Sequence, residues 1–67
     1  MSGICRFQIY SDAAGRFRWR LRDPEGKIVA EAAQGYTMKQ SCKVSIESMM
    51  HGLRAGAVVE DYSHATA

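Results

Sequence analysis

Arg16-Phe17-Arg18-Trp19-Arg20-Leu21-Arg22 is the stretch that decides the fold of this 67-residue chain. Arginine alternates with a large apolar residue at every step, which is the period of a β-strand with one buried face and one face in water. Residues 5–10 repeat the alternation, with Cys5, Phe7 and Ile9 on one side. The pattern therefore predicts two neighbouring strands, at residues 5–10 and 16–22, that share a buried face.

Turn-forming residues separate these strands from each other and from a third strand. Asp12 suits an Asx turn and Gly15 a positive φ angle, so residues 11–15 are predicted to form a five-residue hairpin loop. Pro24 and Gly26 occupy the second and fourth positions of a turn at residues 23–26, and residues 27–32 follow as the third strand. The chain is thus expected to reverse twice and to build an antiparallel sheet.

The register of this sheet follows from the requirement that the apolar faces of its strands coincide. Across the first hairpin, we expect Ile9 opposite Phe17, Phe7 opposite Trp19 and Cys5 opposite Leu21. Across the second, we expect Leu21 opposite Ile28, Trp19 over Ala30 and, on the other face, Arg18 beside Glu31.

The hydrophobic period changes from two to between three and four after Gly35. This change predicts a helix with one apolar stripe: Met38, Cys42, Ile46, Met49, Met50 and Leu53. Thr37 and Gln40 have the spacing of a capping box, which would start the helix at Thr37. Gly52 and Gly56 bracket the expected exit, where Arg54 suits the negative end of the helix dipole. A short last strand is predicted after it: Ala57, Val58, Val59, Glu60 and Asp61.

These elements predict an α+β fold of order β-β-β-α-β, with an antiparallel-rich sheet and the helix packed on one face. We expect a single domain over residues 1–67, with a core at about 4–62 and a loose tail at 63–67. A chain this short buries only about 60% of its unfolded surface, and such chains commonly need disulfides, a metal or a partner subunit. Cys5 and Cys42 are the only cysteines. They form no CxxC pair and no zinc-type spacing with histidine, so we expect no metal or cofactor, and a disulfide between them stays open.

Composition restricts the location and the partners of the chain. It begins without an apolar run of signal-peptide length, and no window approaches the roughly 18 apolar residues that a membrane span requires. We therefore expect a cytoplasmic protein. The net charge of +2 is too small to predict a polyanionic partner by itself.

Several segments together resemble a known family: Phe7-Gln8-Ile9-Tyr10, Gly15-Arg16-Phe17-Arg18-Trp19-Arg20-Leu21, Gly26-Lys27-Ile28-Val29-Ala30, Gly35-Tyr36-Thr37 and Ile46-Glu47-Ser48-Met49. They resemble the YegP-like proteins, a bacterial and archaeal family of unassigned function. The resemblance implies a β3-α-β unit that occurs as tandem repeats or, in single-unit chains, as an intertwined homodimer with exchanged C-terminal strands. Val44-Ser45 departs from the Asn-Gly that family members usually carry before Ile-Glu-Ser. The family has no known catalytic residues, so the resemblance implies none here.

The sheet edges and the glycines around the helix also favour pairing between chains. A four-strand unit leaves two exposed sheet edges, which are templates for another chain. Gly35, Gly52 and Gly56 give the segments around the helix the freedom to swing. We therefore predict a homodimer, with the strand at residues 57–61 either exchanged or packed in its own chain.

The arginine-bearing side of the sheet is the strongest functional signal. We predict a candidate binding face made of Arg6, Gln8, Tyr10, Arg16, Arg18, Arg20 and Arg22. Its guanidinium groups suit an acidic protein or a small anionic ligand. With Tyr10 as a stacking ring they also suit sequence-nonspecific binding of single-stranded nucleic acid. The alternative is simple solvation, in which the aliphatic stems cover the sheet and the charged heads stay in water.

Other reactive side chains predict no catalytic site. Glu47 and His51 lie one helical turn apart on the polar side, but acid-base chemistry would also need a cleft and a third group. Cys42 falls on the apolar stripe, whereas Cys5 is the more exposed candidate for oxidation. Val44 is either a lone exposed valine or part of a second contact surface. We therefore predict a binding protein and not an enzyme.

Overall fold

The computed structural model describes residues 3–63. Its elements follow in the order β1 (Arg6–Ser11), β2 (Phe17–Arg22), β3 (Ile28–Glu31) and α1 (Lys39–Ala55). The strands form one antiparallel sheet in the order β1-β2-β3, and α1 packs across one face of β1 and β2. The α+β class and the three antiparallel strands with one helix are confirmed. Within residues 3–63, no helix combines the length and the apolar character needed to cross a bilayer.

The core lies between β2 and α1 and centres on the alternating strand. Its buried members are Trp19, Ala32, Cys42 and Ile46. The ring of Phe7 meets that of Trp19 edge-on, with the ring centroids 5.4 Å apart. The indole Nε1 of Trp19 donates to Ser45 Oγ at 3.0 Å, and that hydroxyl donates to the Cys42 carbonyl at 2.8 Å. The polar edge of the buried indole is therefore satisfied.

The register differs from the predicted one by two residues in each hairpin. Phe7 lies opposite Leu21 and Ile9 opposite Trp19, so the predicted partners of β1 are wrong. In the second hairpin Leu21 pairs with Ala30 instead of Ile28. Glu31 consequently lies opposite Arg20 and not beside Arg18. A slip of two keeps the side chains of β1 and β2 on their predicted faces, so Phe7, Ile9, Phe17, Trp19 and Leu21 lie in or against the core as expected. The prediction for Ile28 is wrong, because it lies opposite Arg22 and is 44% exposed.

An Asp-x-x-Gly turn at the end of each hairpin explains the register. The Asp12 N–H donates to the Arg16 carbonyl and the Gly15 N–H to the Asp12 carbonyl, both at 2.9 Å. Asp12 Oδ1 also accepts from the N–H groups of Ala14 and Arg16. Gly15, with φ of 78°, supplies the left-handed residue that a three-residue loop requires. The loop is therefore residues 13–15 and not 11–15, because Asp12 belongs to the ladder.

The second turn has the equivalent bonds: the Gly26 N–H donates to the Asp23 carbonyl and the Asp23 N–H to the Lys27 carbonyl. Asp23 Oδ1 accepts from the N–H groups of Glu25 and Lys27. Its left-handed residue is Gly26, with φ of 91°. Here an irregularity between Leu21 and Arg22 adds to the shift of register. The predicted turn at residues 23–26 is confirmed, but the bulge beside it is not visible in the alternating pattern.

The helix begins later than the capping box predicted. Met38 is the N-cap residue, with extended backbone and no side-chain cap, so the capping role of Thr37 and Gln40 is wrong. The cause is Tyr36, which exchanges two backbone hydrogen bonds of 2.7 Å with Phe17 and so stays extended at the sheet. At the other end Arg54 lies in the last turn, as predicted, and Gly56 follows the helix. Gly52 lies within α1 rather than at its exit.

Only the middle of the apolar stripe is packed. Cys42, Ile46 and Met49 face the core, whereas Met38 and Leu53 are 62% and 58% exposed. The helix has 17 residues and is therefore about 25 Å long, while the axes of three adjacent strands span only about 10 Å. Both ends of the stripe are thus left largely in water.

The predicted last strand does not form within this chain. Among the described residues, no backbone hydrogen bond joins residues 57–61 to the sheet. Val58 and Val59 are 83% and 97% exposed, because no strand of the same chain lies beside them. The radius of gyration is 14.6 Å, against about 11 Å for a compact chain of this length. We call residues 57–61 the C-terminal arm; of the predicted tail at 63–67, all but Ser63 lies outside the described residues.

Candidate functional site

The sheet face opposite α1 carries the polar half of β1 and β2. Cross-strand pairs on it are Arg6 with Arg22, Gln8 with Arg20 and Tyr10 with Arg18. These residues are called the arginine face below. Arg16, the remaining predicted member, precedes β2, and its stem lies against Gly35, where an added Cβ would come within 2.8 Å of the Arg16 Cβ. The structure thus brings the strand members of the predicted face together.

Gln8 is the organising residue of the arginine face. Its Oε1 accepts from Arg20 Nε at 3.0 Å and from Arg22 Nε at 2.8 Å. Since the amide is neutral, it orients two guanidinium groups without cancelling their charge. Arg20 keeps the N–H groups of both its Nη atoms unbonded within the described residues. Those donors are available to an anion.

Arg18 is the member of the arginine face whose charge is paired. Its Nε lies 2.7 Å from Asp12 Oδ2, which is the single ion pair within residues 3–63. The bond from Arg18 is the main cause that lowers the pKa of the Asp12 carboxyl, with the Arg16 N–H second; the same contact raises the pKa of Arg18. Because Asp12 also closes the hairpin turn, Arg18 has a structural role that the predicted pairing with Glu31 did not include.

Tyr10 is in contact with a cation already. The guanidinium carbon of Arg20 lies 4.8 Å from the centroid of the Tyr10 ring, within the range of cation–π attraction. This contact holds Arg20 over the sheet between Tyr10 and Gln8. It also occupies one face of the ring on which a nucleobase could stack.

Arg6 and Arg22 form a like-charged pair directly across β1 and β2. Within the described residues, neither is in an ion pair. Like charges directly opposite each other in a sheet are destabilising. Two positive charges therefore lie close together without an ion-pair partner at the end of the arginine face where β1 starts.

Among the described residues, the remaining reactive side chains do not come together in one site. Glu47 and His51 are exposed on α1, Cys5 is exposed, and Cys42 is fully buried. Both cysteines are free, so the open disulfide is not formed. Burial raises the pKa of the Cys42 thiol, which keeps it protonated and unreactive. Within residues 3–63, no group of three or more His, Cys, Asp and Glu side chains could hold a metal ion.

Sequence reasoning missed the bridging role of Gln8 and the pairing of Asp12. Both depend on the register, since only the observed pairing puts Gln8 opposite Arg20 and Asp12 at the end of the ladder. The signal was present in the sequence as two Asp-x-x-Gly turns, at residues 12–15 and 23–26. Treating both as three-residue loops would have given the observed pairing of the first hairpin.

Comparisons with known proteins identify relatives of the chain. The family described as a domain of unknown function, DUF1508, matches residues 12–60. A UPF0339 protein of Neisseria meningitidis serogroup B is 39% identical over 54 residues, which cover 81% of this chain and 95% of the relative. A UPF0339 protein of Treponema denticola is 36% identical over 55 residues, covering 82% and 93%. The NMR solution structure of a protein from Haloferax volcanii has a TM-score of 0.74 at 36% identity, covering 88% of this chain and 98% of that one.

Proposed function

Since the chain belongs to the DUF1508 family of YegP-like UPF0339 proteins, whose function is unknown, we propose a function from its geometry. The protein is a non-enzymatic homodimeric binding module. Its arginine face binds an acidic protein or a small anionic ligand. The observation that carries the proposal is the pair of guanidinium groups that Gln8 Oε1 orients without neutralising them.

The fixed orientation of the arginine side chains distinguishes this face from a strand face whose arginines are simply solvated. An arginine in water samples many rotamers and loses that freedom when it binds. Arg20 is held by Gln8 on one side and by the Tyr10 ring on the other. Its unbonded Nη groups can therefore form charge-assisted bonds, worth about 1.5–3 kcal/mol each, at a reduced entropic cost.

Homodimer formation is supported by the C-terminal arm and by the edges of the sheet. β1 and β3 each have a neighbour on one side, so each presents unpaired backbone groups. Within the described residues the arm has no backbone hydrogen bond to its own sheet, and it exposes two adjacent valines. Adding the arm of one chain to the sheet edge of another would pair these groups and bury apolar surface, at about 25 cal/mol per Å².

Binding is tested by titrating the full chain at low salt with an acidic peptide, with inorganic phosphate and with a short single-stranded DNA. Arg20→Gln should weaken binding of the acidic peptide, whereas Lys43→Gln, the same charge change on the exposed surface of α1, should not. Equal effects of the two substitutions, or no binding of any probe, would reject the proposal.

Single-stranded nucleic acid is the competing outcome of the same titration. Its affinity would fall steeply with salt as counterions are released. One face of the Tyr10 ring, on which a base could stack, is already occupied by Arg20. We therefore expect the DNA probe to bind no better than an acidic peptide of equal charge.

A further inference from the structure

A small cavity opens at the end of the arginine face that carries the unpaired charges. It lies where the segment before β1, the start of β1, the end of β2 and the β2–β3 turn meet, and its volume is about 90 Å³. One water needs about 15 Å³ of such space. The cavity therefore has room for a polyatomic ion. Its charged and polar lining is supplied by Arg6, Gln8, Arg22 and Asp23.

Arg22 is fixed in this cavity from two directions. Its Nε donates to Gln8 Oε1 at 2.8 Å, and its Nη1 donates to the carbonyl of Gly26 in the β2–β3 turn. Within the described residues Nη2 keeps its N–H groups unbonded. Because Gln8 Oε1 is occupied, the amide nitrogen of Gln8 remains as a further donor.

Arg6 completes the site from the opposite strand. It lies directly opposite Arg22, is exposed, and has no ion-pair partner within residues 3–63. Repulsion between the two guanidinium groups is removed when an anion lies between them. An anion bound in the cavity would therefore relieve this repulsion.

Asp23 does not cancel the positive character of the cavity. Its Oδ1 accepts from the N–H groups of Glu25 and Lys27, at 2.9 and 3.0 Å, and so closes the turn. Two guanidinium groups against one carboxylate leave a net charge of about +1 before any ligand binds. The cavity therefore favours an anion over a neutral ligand.

We propose that this cavity binds one phosphate group, held between Arg6 and Arg22. The inference rests on the proposed anion-binding function and names the ligand class. A phosphate monoester carries about −1.5 to −2 charges at neutral pH, so it can pair with both guanidinium groups, although Asp23 leaves the cavity itself with a net charge of only about +1. Its tetrahedral oxygens can accept from both arginines and from the Gln8 amide at once, and arginine binds phosphate in a bidentate manner. A carboxylate offers only two oxygens, so it can satisfy fewer of these donors than a phosphate can.

The test is calorimetric titration of the full chain at low salt with inorganic phosphate, glycerol phosphate and acetate. Arg6→Gln should weaken phosphate binding by about tenfold or more, while Lys43→Gln should leave it unchanged. Arg22→Gln removes a bond to the turn, so its fold is checked by the Trp19 fluorescence. Arg6 makes no such bond, and its variant keeps the test valid if Arg22→Gln unfolds.

Side-chain NMR locates the ligand. Phosphate should shift the Nε–H signals of Arg6 and Arg22 more than that of Arg18. If glycerol phosphate binds more tightly than inorganic phosphate, the natural ligand is a phosphate group on a larger molecule. If the two bind equally, the ligand is free phosphate. Acetate binding as tight as phosphate, or phosphate binding that ignores Arg6→Gln, overturns the site. If an acidic peptide still binds through Arg20 in that case, the proposed function stands without this cavity.

Discussion

Truncation of the valines after α1 tests whether the C-terminal arm is an exchanged strand. Val58 and Val59 are 83% and 97% exposed in the single chain. Replacing either by alanine should therefore change the stability of a monomer by no more than about 0.5 kcal/mol. In a paired strand successive side chains point to opposite faces, so one valine enters the partner's core and the other stays in water. The two substitutions should then have different effects.

The magnitude follows from the buried carbon atoms. Valine to alanine removes the equivalent of two methylene groups, which at about 0.8 kcal/mol each amounts to about 1.6 kcal/mol per buried site. A symmetric dimer contains two such sites, so it loses about 3 kcal/mol. The dissociation constant of the dimer should therefore rise roughly two-hundredfold for the buried valine and change little for the other.

Sedimentation velocity over a concentration series measures this difference directly. The wild-type chain should sediment at twice the monomer mass of 7.4 kDa. One alanine variant should dissociate at much higher concentration than the other, and each variant is the matched control of its neighbour. A wild-type monomer at every concentration, or equal effects of the two substitutions, would refute strand exchange.

Three further outcomes are expected from single positions. The pKa of Asp12 is lowered in the folded chain. The stabilising effect of its carboxylate is therefore full above the unfolded pKa of about 3.9 and is lost as pH falls through the folded pKa. Asp12→Asn should flatten the pH dependence of thermal unfolding in that acidic range. Ser45→Ala leaves the Trp19 Nε1–H without its acceptor, so it should lower the free energy of unfolding in urea by about 1–3 kcal/mol. Ser41→Ala, at an exposed position of α1, is the control and should lower it by less than about 0.5 kcal/mol. An alkylating reagent should modify exposed Cys5 in the native chain and buried Cys42 only after unfolding, and equal rates measured by mass spectrometry would contradict the buried thiol.

The alternating pattern was sufficient to predict the core but not the register. Phe7, Trp19 and Leu21 had to share a face whichever residues they paired with, because a slip of two preserves the face. The actual partners depend on turn geometry, where the Asp12 and Asp23 carboxylates accept backbone N–H groups and extend the ladder. Hydrophobic periodicity carries no information on those bonds.

The segments before and after the helix both depend on tertiary contacts. Thr37 has the sequence of a cap, but the bridge between Tyr36 and Phe17 keeps the chain extended up to that point. The C-terminal arm has the composition of a strand, but within the described residues it pairs with neither free edge of its own sheet. Local propensity predicted a helix start at Thr37 and a strand in the arm. The bridge to Phe17 prevents the first, and the lack of a pairing strand within the described chain prevents the second.

In the candidate site, the sequence predicts which face the arginines occupy but not which partners their guanidinium groups bind. Alternation alone puts Arg18, Arg20 and Arg22 on one face. Only the side-chain bonds distinguish Arg18, which pairs with Asp12, from the two arginines that Gln8 orients. Composition gave a net charge of +2, which hides the concentration of unpaired charge between Arg6 and Arg22.

The two proposals together separate an acidic protein from a small anion as the ligand of the arginine face. Strand exchange would join two sheets edge to edge, and each would carry its own arginine face. An extended acidic ligand that contacts both faces would bind far more tightly to the dimer than to the monomer, because the second contact is intramolecular. A single phosphate group in the Arg6–Arg22 cavity gains nothing from the second copy. The valine variant that dissociates the dimer should therefore weaken binding of a long acidic peptide strongly and leave phosphate affinity unchanged.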